Sequence, residues 1–188
     1  MTHLQIIVAS TRQNRQGIHV AHWFQHIAEK HAKFEVELVD LAEVNLPLFD
    51  EPNHPRFAQY VNDHTKAWSA TVSRADAYVF VTPEYNYGPA PALINALDYL
   101  SKEWAYKPVG FVSYGGVAAG TRAVQATKLL VTTLKMMPMF EAVAIPFFAQ
   151  HLDKETNVFT PGETQDKAGE VMLDELLRWA DALKVLRA

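Results

Sequence analysis

The chain has 188 residues, 49% apolar and 20% charged, with a formal net charge of −4 at pH 7. That size suits a single folding unit, 1–188, with a substantial core, and the mild acidity without a Lys/Arg stripe excludes an electrostatic nucleic-acid binder. No cysteine is present, which excludes disulfides, thiolate catalysis and Cys-based zinc sites and accords with a cytoplasmic protein.

Leu4 to Ala9 is a short, β-branched apolar run and predicts a buried first strand, not a signal peptide. No apolar run approaches the length of a membrane span. A polar, turn-rich stretch, Ser10 to Gly17, follows. Val20, Ala21, Phe24, Ile27, Ala28 and His31 then recur at helical spacing, so a helix is expected from about Gly17 to Ala32. Phe34 to Asp40 alternates strictly and predicts a second strand. Leu41 to Pro55, with three prolines, reads as a loop. Phe57, Tyr60, Val61, His64, Trp68 and Val72 give a second helix to about Arg74. Ala77 to Val81 is a third strand, and Pro91 to Leu100 a helix. Val109 to Tyr114 is a fourth strand, with a helix from about Ala118 to Met137. Phe140 to Ile145 is a fifth strand. A loop with Pro146, Pro161 and Gly162 leads to a last amphipathic helix carrying Val171, Leu176, Trp179, Leu183 and Leu186.

Strands alternating with helices imply a parallel sheet covered on both faces by right-handed crossovers. Five of them fit the flavodoxin-like order 2-1-3-4-5, an α/β three-layer sandwich. In such a sheet, ligands bind beyond the carboxyl ends of the strands, at the switch point between strands 1 and 3. The loops after strands 1, 3 and 4 therefore carry the site. Neighbouring strands lie about 4.8 Å apart, so these loops span roughly 10 Å, the width of one planar ring system.

In the first loop, Ser10, Thr11, Arg12 and Arg15 surround a helix start, where free N–H groups and the dipole favour phosphate. Gly17 lets the backbone come close. The alternative is that Ser10 or Thr11 only caps the helix while the arginines are solvated. Neither G-x-G-x-x-G nor a Walker A pattern follows strand 1, so a mononucleotide suits the loop better than a dinucleotide. The second loop, Pro83-Glu84-Tyr85-Asn86-Tyr87-Gly88, is stiffened by its prolines. The N–H groups of Glu84 to Tyr87 have no obvious partner in sheet or helix. A planar heterocycle edged with acceptors would satisfy them; an ordinary turn with tyrosines facing a neighbouring subunit is the alternative. In the third loop, Ser113-Tyr114-Gly115-Gly116, paired glycines permit close approach to a flat ligand or give a flexible turn.

These ordered motifs, Ser10-Thr11-Arg12, Thr82-Pro83-Glu84-Tyr85-Asn86 and Ser113-Tyr114-Gly115-Gly116, resemble those of the NADPH-dependent FMN reductases. That flavodoxin-like group includes quinone, chromate and azo-dye reductases, and the resemblance covers nearly the whole chain. It implies FMN as cofactor and NADPH or NADH as donor, with hydride passing by a ping-pong mechanism to quinones, free flavins or other small acceptors. It implies that Ser10, Arg12 and the segment Arg15, Gln16, Gly17 and Ile18 hold the FMN phosphate. Pro83, Glu84, Tyr85 and Asn86 would line the isoalloxazine edge, and Ser113, Tyr114, Gly115 and Gly116 the ring and ribityl chain. It also implies a homodimer or homotetramer. The departure is Gln13-Asn14-Arg15-Gln16-Gly17, where many members carry hydroxyl residues; Arg15 stands in their place. No strict catalytic side chain and no metal are expected, because the flavin carries the chemistry.

A non-enzymatic flavodoxin-type electron carrier is the rival reading; the mild charge and the arginine-bearing loop speak against it. A receiver module fails, since Ala9-Ser10 and Thr82-Pro83 stand where acidic residues are required. His22 and His26 have i,i+4 spacing without the Glu of H-E-x-x-H, and read as a solvated or interface face. Trp23, Phe24 and Trp68 read as core. Tyr99, Trp104 and Tyr106 read as either core or a dimer contact.

Overall fold

The computed structural model describes residues 1–187. Its strands are β1 (Thr2–Val8), β2 (Phe34–Asp40), β3 (Ala77–Pro83), β4 (Pro108–Tyr114) and β5 (Met137–Ile145), in the order β2-β1-β3-β4-β5. All four neighbouring pairs are parallel. β3 and β4 are buried at every residue, as strands covered on both faces must be. β5, at an edge, alternates instead and leaves Phe140 90% exposed.

Helices α1 (Gly17–His31) and α6 (Glu163–Leu183) cover one face. Val20, Phe24 and Ala28 meet Leu4, Ile6 and Val8 of β1, with Met172, Leu173 and Leu176 of α6 beside them. The other face carries the short α2 (Leu41–Val44), then α3 (Asp63–Ser73), α4 (Pro91–Asp98) and α5 (Thr121–Thr133). There Trp68, Leu93, Leu97 and Val124 pack on Ile7, Phe80 and Phe111. A Cβ added to Gly110 would lie 2.7 Å from Met172 Sδ, so the glycine lets α6 settle onto β4.

Several expectations are corrected. Leu41 to Pro55 is not all loop: Asp40 accepts the N–H of Ala42 at 2.9 Å and starts α2. The helix expected from Phe57 begins at Asp63, because Glu51 accepts the N–H groups of Val61 and Asn62 and fixes the entry. Phe57 and Val61 are exposed instead. The helix expected from Ala118 to Met137 is confined to Thr121–Thr133, since the Met137 N–H joins Lys107 O at 3.0 Å and opens β5. Tyr99 and Trp104 are 0% and 1% exposed, core and not a dimer contact. Trp68 is core as expected, and Val171 and Leu186 face outward.

Candidate active site

The loops after β1, β3, β4 and β5 converge on a cavity of about 480 Å³. That lies within the range of roughly 300–1,000 Å³ typical of small-ligand sites. The first loop contributes Ser10, Arg12, Asn14, Arg15 and Gln16, the second Pro83, Glu84 and Tyr85, the third Tyr114, Gly115 and Gly116. A fourth, Phe147 to Gln150, completes the wall. Pairing of Pro83 with Tyr114 at the ends of β3 and β4 sets the second and third loops side by side.

Arg12 to Arg15 forms a turn, closed by Arg15 N–H to Arg12 O at 3.1 Å. α1 then starts with no side-chain cap and no acidic residue in its first turn, so its positive end is open. One Arg15 amino group is ion-paired with Asp40, whose side chain is 4% exposed. The Arg15 Nε–H is buried and has no hydrogen-bond partner. A buried, charged, unsatisfied donor calls for an acceptor, and a phosphate oxygen fits it. The first loop thus suits a phosphate monoester, with Arg12 exposed beside it.

Ser10 is 2% exposed, and its Oγ lies 2.8 Å from the Tyr85 hydroxyl, tying the first loop to the second. Thr11 faces a separate cavity with Leu41, Asn45 and Pro91. Gly17 and Ile18 lie outside the cavity wall. Gly17 instead makes room: a Cβ there would lie 2.1 Å from the Tyr114 hydroxyl.

The second loop departs from expectation at Tyr85. Its N–H and C=O are both used by Gly88, at 3.0 and 2.9 Å, closing a turn over Asn86 and Tyr87. Both turn residues are left-handed, φ 50° and 69°, as such a turn requires. Asn tolerates that conformation; Tyr87 is held in it by stacking, with the Arg122 guanidinium 3.9 Å from its ring centroid. Glu84 pairs with the same guanidinium and accepts the Arg122 N–H at 3.2 Å, anchoring the loop to the first turn of α5. Tyr87 therefore sits on Arg122, and Asn86 is exposed outside the cavity wall.

Tyr114 is 4% exposed. Burial, reinforced by the Tyr85 hydroxyl, pushes its phenol far above the ordinary range, so it stays protonated. Ser113 is turned away from the cavity, toward Gly120. A Cβ at Gly116 would meet nothing within 4 Å, so that side of the cavity is open. The carbonyls of Gly116 and Gly115 accept the N–H groups of Phe147 and Phe148, at 3.1 and 3.2 Å.

Sequence reasoning missed Asn14 and Phe147 to Gln150. The available signal was topological: β5 neighbours β4, so its loop must reach the same rim. Glu84 is the one carboxylate lining the cavity, and Arg122 occupies it. Such walls bind and orient; they offer no paired acid and base. Among the described residues no group of three or more His, Asp or Glu is placed to hold a metal, and no helix is long and apolar enough to cross a membrane.

The sequence matches the family model described as NADPH-dependent FMN reductase over residues 2–150. The NAD(P)H-dependent FMN reductase ntnL of Nectria sp. is 33% identical over 196 residues, covering 98% of this chain and 90% of that protein. The NAD(P)H-dependent FMN reductase C4B3.06c of Schizosaccharomyces pombe is 39% identical over 145 residues, covering 75% and 72%. Among solved structures, the flavoenzyme NAD(P)H:(acceptor) oxidoreductase FerB of Paracoccus denitrificans shares the fold, with TM-score 0.76 over 97% of this chain and 98% of that one at 21% identity. A family match across the whole site-bearing sheet, joined to a cavity with an unsatisfied arginine at one end and an open glycine side, leads to one assignment: the chain belongs to the NADPH-dependent FMN reductase family of oxidoreductases, whose cofactors are FMN and NAD(P)H.

Proposed function

We propose that the protein passes reducing equivalents from NAD(P)H to quinones, free flavins or other small acceptors in ping-pong order, as one FMN-binding unit spanning 1–188. The buried, unpartnered Arg15 Nε–H beside the uncapped start of α1 carries this reading. FMN, when bound, supplies the hydride chemistry. Arg12 and Arg15 hold its phosphate at the open start of α1, with Gln16 flanking; Thr11 faces the neighbouring cavity, and Gly17 and Ile18 stand behind the wall. Ser10 serves by fixing Tyr85. The main chain of Pro83 to Tyr85 serves the polar ring edge through the Glu84 N–H, since that of Tyr85 is used within the turn and Asn86 lies outside the wall. Tyr114 shapes the floor, and Gly115 and Gly116 leave the ring side clear, while Ser113 packs behind them against Gly120. Donor and acceptor take turns at this one open side, which is the basis of the ping-pong order.

The exposed Leu48, Phe49, Phe57 and Val61 in the segment between α2 and α3 support self-association as a dimer or tetramer. Sedimentation of the purified protein at monomer mass would reject that part. The main test is FMN titration by flavin fluorescence, followed by anaerobic bleaching with NADPH and NADH. Protein that neither binds FMN nor oxidises NAD(P)H would sink the proposal. Intersecting, not parallel, double-reciprocal plots would reject the ping-pong order.

A further inference from the structure

We propose that Phe147 is the surface on which the flat ring of a quinone-class acceptor stacks, and that it sets the preference for aromatic over compact acceptors. This rests on the function proposed above. Phe147 lines the cavity and is 50% exposed. Its backbone is left-handed, φ 46°, a conformation uncommon for a bulky residue. The bond from its N–H to Gly116 O, and that from Phe148 to Gly115 O, hold it there.

The kink separates two consecutive aromatic rings. Phe148 turns inward and meets Tyr114 edge-on, with centroids 5.0 Å apart. Phe147 is left at the rim. Glycine would suit that backbone better, so an aromatic residue is explained by what its ring meets. The other aromatic residues nearby are engaged: Tyr85 with Ser10, Tyr114 beneath the first loop, Tyr87 on Arg122. Next to Phe147, Gly116 has open space where a side chain would stand. A half-exposed aromatic face beside an empty slot suits a flat ring, which gains offset stacking and apolar burial there. A compact metal complex has no ring to place.

The test uses FMN-loaded wild type, Phe147→Ala and Phe147→Tyr. Each is assayed with NADPH and either a 1,4-naphthoquinone or ferricyanide, two ferricyanide ions being reduced per NADPH. For Phe147→Ala the ratio of kcat/KM with naphthoquinone to that with ferricyanide is expected to fall about 3- to 10-fold, through KM. Phe147→Tyr, which keeps the ring, restores the ratio. An equal loss with both acceptors overturns the proposal. So does a weaker FMN affinity or a lowered subunit count in Phe147→Ala, since the ring would then serve the cofactor or a subunit contact. Wild type that turns over normally while the variants show no acceptor dependence sinks this inference alone. Wild type inactive with every acceptor sinks the proposed function as well.

Discussion

Gly17→Ala tests how the floor of the site is packed. The added Cβ would stand 2.1 Å from the Tyr114 hydroxyl oxygen and 2.9 Å from its Cζ. Carbon contacts are comfortable near 3.5–4.0 Å, so the ring must retreat by about 1 Å or more. It has nowhere easy to go, being 4% exposed and backed by Phe148. Overpacking of this kind costs about 1–3 kcal/mol, and the upper half applies to a rigid ring. Alanine returns up to about 1 kcal/mol of helix propensity at the first residue of α1. The net loss is about 2 kcal/mol, a fall in Tm of about 4–8 °C for a chain of this size. Tyr114 ends β4 and carries the third loop, so FMN should also bind more weakly. Thermal unfolding and FMN titration measure the two effects. Adding Tyr114→Phe removes the 2.1 Å contact and leaves the 2.9 Å one, so the double variant should recover part of the loss. A Gly17→Ala protein with wild-type Tm and FMN affinity would refute the packing argument. A double variant no better than the single would show that the hydroxyl is not the obstacle.

Arg12→Ala should weaken FMN binding on the order of 10-fold, the loss of a charge-assisted contact; an unchanged Kd would remove Arg12 from the phosphate site. Lys107 is 6% exposed and donates to Val72 O and the Tyr78 hydroxyl. Burial, with the charge of Arg187 nearby, pushes its pKa down to about 8. The unfolded chain then binds more protons between pH 8 and about 10.4, so this lysine's contribution to stability rises with pH across that window. Denaturant midpoints for wild type and Lys107→Met should converge or cross between pH 7.5 and about pH 10 in favour of wild type; parallel trends would contradict this. For Glu51, burial raises the carboxyl pKa, but the neighbouring Thr65 hydroxyl and the bonds from Val61 and Asn62 N–H together outweigh it and leave the group below its usual range. Its stabilisation is full above the unfolded carboxyl range and is lost as pH falls through the lower folded value. The advantage of wild type over Glu51→Gln, read from urea unfolding, should therefore shrink on acidification, and an advantage constant with pH would count against it.

The strands were legible because their physics is local. β3 and β4 are short apolar runs with turn signals at each end, and that pattern alone yields a doubly wound sheet and the rim where ligands bind. Arg12, Arg15 and the Pro83-Glu84-Tyr85 stretch were legible as site residues because each combines an unusual residue type with that rim. What escaped depends on contacts distant in sequence. Glu51 decides where α3 begins, and periodicity carries no trace of a carboxylate reaching 10 or 11 residues along the chain. Tyr87 looked free to meet a ring or a partner because Arg122, on another element, was not visible as its stacking partner. Phe147-Phe148 falls in the loop that opens at Pro146, and only the bonds to Gly115 and Gly116 reveal that the backbone kinks between the two rings.

The pair of bonds joining Phe147 and Phe148 to the carbonyls of Gly116 and Gly115 also divides the rim by stiffness. On that side two loops from adjacent strands are stitched together and must move as one body. Across the cavity, the Arg12 to Gln16 segment is closed by a single internal bond and moored by the Arg15–Asp40 pair. The amide hydrogens of Phe147 and Phe148 are therefore expected to exchange with solvent more slowly than those of Gln13, Asn14 and Gln16.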